Sequence, residues 1–316
     1  MTHPLLITIL LTGAATIAWV SRRLFWPVKR RFHPCRSRYL STVSSQVIEV
    51  TDFDIHYLHQ GEGDPVILIH GGGMWLYSYR HNLPELAKNF SVYAIDMPGY
   101  GYTRCRTDTS PYSIDSMADT IAGFMDKMNI EKASLAGHSW GGGWVIHFAH
   151  RYPDRVERLI LIDSSGLDVK DVLEWELLKI PILGKILVRC ISEEIVRRRL
   201  EHSFYHRGLI TDDMVHEVYA PLTFSHNQKA LLKLCRNMDW KATEKSLGDI
   251  KKPILLIWGD NDRYLDPALA QEFLKRCSHI RLEMIKDCGH SAHEEYPGAV
   301  NSLIREFLGK EGNEVC

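Results

Sequence analysis

A short apolar run, Ala133-Ser134-Leu135-Ala136, leads directly into Gly137-His138-Ser139-Trp140-Gly141-Gly142-Gly143, and a helical pattern then continues from Trp140 to Tyr152, ended by Pro153. A strand that becomes a helix within a few residues must turn sharply. Glycine at 137 and 141 removes Cβ atoms that would collide with neighbouring backbone in such an elbow. The turn holds the Ser139 hydroxyl up at the helix amino terminus, where the helix dipole favours developing negative charge. Ser139 is therefore the candidate nucleophile, and the elbow requires a sheet beneath it.

The rest of the chain supplies that sheet. Apolar or β-rich runs at Gln46–Thr51, Ile55–Leu58, Val66–His70, Ser91–Asp96, Ala133–Ala136, Val156–Asp163, Ile254–Trp258 and Ile280–Ile285 alternate with helical patterns such as Ile114–Met128 and Ala268–Cys277. Several runs are continuously apolar, as strands buried on both faces should be. The first two have no helix between them and read as an antiparallel hairpin; the others read as βα units. The expected architecture is α/β, a mostly parallel doubly wound sheet of about eight strands. With 45% hydrophobic residues the chain can bury a large core.

Between Gly166 and Leu247 the alternation stops, and helices are expected at Leu173–Leu187, Ser192–Ser203, Asp212–Tyr219 and Gln228–Met238. The expected organisation is an amino-terminal segment over 1–40, a core over 41–165, a helical cap over 166–247 and the rest of the core over 248–316.

A serine nucleophile needs a base. His290, in Asp287-Cys288-Gly289-His290-Ser291, follows a predicted strand, where a sheet can present a base to a neighbouring elbow. His293 reads instead as the first turn of the terminal helix, and the turn should aim His138 away from Ser139. The acid that orients His290 is expected at Asp262, beyond the strand Leu255–Trp258, with Asp163 at another strand end as its rival. Asp266 reads as a helix cap. Gly72, in His70-Gly71-Gly72-Gly73, is the candidate oxyanion donor with Gly73 adjacent, and Trp140 supplies the second N–H.

The order Ser139, Asp262, His290 is that of the α/β hydrolases. From about Gln46 to Gly309 the chain resembles that fold family, on His70-Gly71-Gly72-Gly73, Asp96-Met97-Pro98-Gly99-Tyr100-Gly101-Tyr102-Thr103, the elbow, Gly259-Asp260-Asn261-Asp262 and Gly289-His290. Serine at the nucleophile position separates it from the epoxide hydrolases and haloalkane dehalogenases of the family, which use Asp. An amino-terminal apolar segment followed by basic residues and a capped body is similar to membrane-anchored monoacylglycerol lipases and related esterases. The triple glycine and the cap run Arg197–Tyr219 are similar to hydrolases of carbon–carbon bonds in ring-fission products. Those relatives commonly carry a Trp near the catalytic His and a cap Arg for the substrate's acid groups; here Ser291 and Ala292 follow His290, and no single cap Arg stands out.

These readings imply attack of Ser139 on a carboxylic ester with an apolar or lipid-like acyl chain, with no metal or organic cofactor. Alternatives are a carbon–carbon bond or thioester substrate for the same triad, and a catalytically silent receptor or scaffold. Gly73 and Trp75, with Leu76 and Tyr77, are the expected substrate-binding residues beyond the oxyanion loop. The cap's apolar stretch Trp175–Leu187 reads mainly as packing, and Val196-Arg197-Arg198-Arg199-Leu200 as a solvated helix face.

Leu5–Val20 carries no charge, and the basic cluster Arg22, Arg23, Lys29, Arg30, Arg31, Arg36 and Arg38 follows it. A cleaved signal peptide has its basic residues first, so a retained membrane anchor with the body on the cytoplasmic side is expected, or an interfacial segment. A net charge of -1 gives no footprint for nucleic acid. Seven cysteines without CxxC or metal-ligand spacing fit reduced thiols. Nothing in the sequence sets an oligomeric state.

Overall fold

The computed structural model describes residues 37–107, 110–170 and 172–309. The expected anchor Leu5–Val20 lies outside them, and among the described residues no helix is long and apolar enough to cross a membrane. The strands are β1 (Gln46–Val50), β2 (Phe53–Gln60), β3 (Pro65–Ile69), β4 (Ser91–Ile95), β5 (Arg104–Cys105), β6 (Ala133–His138), β7 (Val156–Ile162), β8 (Ile254–Gly259) and β9 (Ile280–Ile285). They form one sheet in the order β1-β2-β4-β3-β6-β7-β8-β9, with the two-residue β5 pairing to β2. The sheet is antiparallel at β1/β2 and β2/β4 and parallel from β4 to β9. Among the described residues it therefore has nine strands where the sequence suggests about eight. The additional one is too short to show a period.

Alternate residues of each central strand enter opposite cores, because successive side chains of a strand point to opposite faces. Ile67, Ile69, Leu135, Leu159, Leu161 and Leu256 pack on one side of the sheet. Val66, Leu68, Ala136, Ile160, Ile162 and Leu255 pack on the other. Each fully buried Leu or Ile stabilises the fold by about 1.5–3 kcal/mol relative to exposure. Burial on both faces is why these strands read as unbroken apolar runs.

The helices are α1 (Leu83–Leu86), α2 (Ile114–Lys127), α3 (Trp140–Arg151), α4 (Leu173–Lys179), α5 (Pro181–Arg189), α6 (Glu193–Ser203), α7 (Asp212–Leu222), α8 (Ser225–Asn237), α9 (Trp240–Leu247), α10 (Leu269–Arg276), α11 (Ala292–Glu295) and α12 (Pro297–Gly309). Ser113 opens α2 by a capping box with Ser116. Helices α4 to α9 all lie between β7 and β8 in the chain. The expected single helix Leu173–Leu187 is two, because Pro181 forces Ile180 into an extended conformation, φ -74° and ψ 119°. Helix α7 runs on to Leu222, with Pro221 in its last turn, and α9 is a further helix capped by the Asp239 side chain. The loops after β3, β6, β7, β8 and β9 all leave the parallel strands at their carboxyl ends, the end where open α/β sheets bind ligands.

Candidate active site

Ser139 sits between β6 and α3 with φ 49° and ψ -120°, a strained conformation for a residue with a side chain. The strain costs on the order of 1–3 kcal/mol, and the surroundings hold it. The Ser139 amide donates to the Ile162 carbonyl at 3.0 Å, pinning the turn to the end of β7. A Cβ on Gly137 would lie 2.4 Å from the Gly141 carbonyl oxygen, and one on Gly141 would lie 2.4 Å from the Ile69 carbonyl oxygen. Both glycines are required by close backbone approach.

The structure brings Ser139, His290 and Asp262 together from three loops. The Ser139 Oγ is 3.0 Å from His290 Nε2, and His290 Nδ1 is 2.7 Å from Asp262 Oδ2. The other Asp262 oxygen accepts the amides of Tyr264 at 2.7 Å and Leu265 at 3.0 Å, which fixes the carboxylate in place. Burial alone would lower the His290 pKa. The Asp262 carboxylate, helped by Asp163, outweighs it, and the imidazole titrates above its ordinary value. The His290 amide donates to the Ser203 carbonyl at 2.7 Å, tying its loop to the end of α6.

The hydrogen bonds of Asp163, the rival acid, run to backbone amides. Its oxygens accept the amides of Gly259 at 2.8 Å and Ala292 at 3.0 Å, bracing the loops that carry Asp262 and His290. Burial, and then the Asp262 carboxylate, push its pKa up. His138 turns away from the Ser139 hydroxyl, and its Nε2 lies 2.7 Å from the His290 carbonyl oxygen. Burial and the neighbouring His293 and His290 rings hold His138 well below the usual imidazole range. His293, in α11, is fully buried at 4.5 Å from the His138 ring, and burial drops it to about 3.

Gly72, Gly73 and Trp140 line the same cleft as Ser139 and His290. Trp140 is the first residue of α3, so its N–H belongs to the first turn, whose donors have no intrahelical partner. Met74, Val172, Trp175, Val196, Leu200 and Val218 give the cleft an apolar stretch of wall, as small-molecule sites commonly have.

Trp75 is a correction to the sequence reading. It is fully buried outside the cleft, its Nε1–H donating to the Glu217 carbonyl at 2.9 Å and its ring stacked on Tyr77. A buried indole needs an acceptor. Pro221, four residues after Glu217 in α7, has no N–H, so that carbonyl is free to serve. Leu76 and Tyr77 are also packed away, and Met74 faces the cleft in their place.

Arg199 was not singled out by sequence, and the structure places it in the cleft. Arg197 and Arg198 pair outward with Asp212 and Glu194. Arg199 turns inward, its side chain 18% exposed, with Nε 2.9 Å from Glu174 Oε1 and the guanidinium over the Trp175 ring. Burial would lower its pKa, but Glu174 and the Tyr264 hydroxyl raise it overall, so the charge is retained. A signal was present: Val196, Arg199, Leu200 and Ser203 share one helical face, and the other three are buried.

Comparison with known proteins agrees with this geometry. The alpha/beta hydrolase fold family matches residues 64–186 and 202–297. A 2-hydroxy-6-oxo-6-phenylhexa-2,4-dienoate hydrolase of Comamonas testosteroni is 28% identical over 268 residues, 82% of this chain and 93% of that one. A meta-cleavage product hydrolase of Pseudomonas fluorescens superposes with a TM-score of 0.74 at 28% identity, covering 84% of this chain and 97% of that one. A membrane phospholipase A shares the fold with a TM-score of 0.72 at 24% identity, covering 98% of each chain.

Proposed function

Because the chain belongs to the alpha/beta hydrolase fold family, we propose that this hydrolase cleaves carboxylic esters with an apolar acyl chain through an acyl-enzyme on Ser139. The observation that carries the reading is the Ser139–His290–Asp262 hydrogen-bonded chain, at 3.0 and 2.7 Å, opening into a cleft with an apolar wall. His290 takes the Ser139 proton as the hydroxyl attacks the carbonyl, and Asp262 steadies the imidazolium that results. The N–H groups of Gly72 and Trp140 hold the oxyanion, each such donor being worth about 10²–10³ in rate. His290 then protonates the leaving alcohol and activates the water that releases the acid. The uncharged segment Leu5–Val20 followed by basic residues supports attachment to a membrane with the catalytic body on the cytoplasmic side.

A second reading, hydrolysis of a carbon–carbon bond beside a ketone, has its own support. The relatives at 28% identity are named for 2-hydroxy-6-oxo-dienoate and meta-cleavage products, and Arg199 puts a cation in the cleft that suits an acid group. Ser291 and Ala292 following His290, where such enzymes commonly carry a Trp nearby, favour the ester reading. Parallel assays on p-nitrophenyl esters of four to twelve carbons and on a 2-hydroxy-6-oxo-dienoate separate the two. Turnover rising with acyl length supports the ester reading, and turnover of the dienoate with none of the esters overturns it.

A further inference from the structure

The described chain begins at Ser37, and its first residues meet Glu217 of the cap. Glu217 is 2% exposed. Its Oε2 accepts the Ser37 hydroxyl at 2.6 Å, and its Oε1 accepts the amides of Arg38 at 2.8 Å and Tyr39 at 3.3 Å. The Leu40 amide closes the turn on Ser37 Oγ at 3.0 Å. A buried carboxylate satisfied by two amides and a hydroxyl is a costly feature to break, since removing one partner leaves the others unpaired.

The same residue reaches the active site through its backbone. The Glu217 carbonyl, left without its helical donor by Pro221, accepts the Trp75 indole at 2.9 Å. The residues flanking this bond, Met74 and Val218, both line the cleft. Tyr39 packs edge-on against Trp75 at 6.2 Å and Tyr77 at 5.1 Å, so the first turn of the described chain closes over the joint from outside. Strand-end loop, cap helix and amino-terminal turn thus converge on one buried residue, the loop at its backbone carbonyl and the turn at its side chain.

We propose that Ser37–Tyr39 act through Glu217 as a latch that sets the Met74–Val218 wall of the cleft, which makes Glu217 a positioning residue for the substrate's acyl chain. As a statement about acyl binding it rests on the hydrolytic reading of Ser139.

Arg38 has φ -66°, a value proline adopts, so Arg38→Pro in the full chain removes the amide donor to Glu217 while keeping that torsion. Arg38→Ala keeps the donor and removes only the surface pair with Asp213. Glu217→Leu removes the acceptor of all three bonds. With p-nitrophenyl decanoate, Arg38→Pro and Glu217→Leu should each raise KM about five- to tenfold with kcat within about twofold, and the double variant should be no worse than the stronger single one. Arg38→Ala should match wild type. Multiplying effects, or loss of kcat at unchanged KM, would overturn the latch. Hydrogen exchange needs no turnover and separates this idea from the hydrolytic reading. Both variants should speed exchange across residues 74–79 and α7, and a change confined to 37–43 would also overturn it.

Discussion

The ring of His138, one residue before Ser139, is bonded at 2.7 Å to the carbonyl of His290. With a carbonyl as acceptor the proton resides on Nε2, and the elbow thereby supports the backbone of the residue that faces its own serine. His138→Phe removes the donor and leaves a buried carbonyl unpaired, which costs about 1–3 kcal/mol. Thermal unfolding should show a lower Tm, and kcat should fall about tenfold because the imidazole loses its support. Unchanged Tm and kcat would show that this bond supports nothing.

The pH dependence follows from His290. Only the neutral imidazole can accept the Ser139 proton, and its pKa is raised in the folded site, so kcat/KM should climb as pH rises through a midpoint above the ordinary 6.5. Asp262→Asn removes the main source of the upward shift. The variant should lose about 10⁴ in kcat and show its residual midpoint at lower pH. Rate–pH profiles of both proteins test this.

Arg199 should govern discrimination rather than chemistry. Replacing a charge-assisted contact costs about 1.5–3 kcal/mol for a substrate that carries an acid group. Arg199→Met should therefore lower kcat/KM about ten- to a hundredfold for acid-bearing substrates and change neutral esters little. Equal losses on both classes would mean that Arg199 only holds the cap through Glu174.

The sheet and the juxtaposition of Ser139, Asp262 and His290 could be read from sequence because each depends on local signals. Continuous apolar runs mark strands buried on both faces, and Gly137 and Gly141 mark an elbow that admits no Cβ. Trp75 was misassigned because its partner lies 142 residues away, at a carbonyl that only Pro221 makes available. The break at Pro181 was legible and should have split the first cap helix. Arg199 was hidden in a basic run whose helical face becomes evident only when Val196, Leu200 and Ser203 are taken with it.

Backbone approach at the elbow gives a stability prediction. Gly141→Ala would place a methyl 2.4 Å from one carbonyl oxygen and 2.6 Å from the next, at Ile69 and His70. Backbone cannot yield as a side chain can, so the variant should lose more than about 3 kcal/mol or fail to fold, well beyond the usual cost of a point substitution. Chemical denaturation measures it, and a loss below about 1 kcal/mol would contradict the close approach.

Ser139 as nucleophile is tested most directly by intact-protein mass after reaction with a fluorophosphonate. Wild type should gain the mass of one phosphonyl group, and Ser139→Ala, equally folded, should gain none. Labelling that persists in Ser139→Ala, or wild type that stays unlabelled, would contradict the assignment.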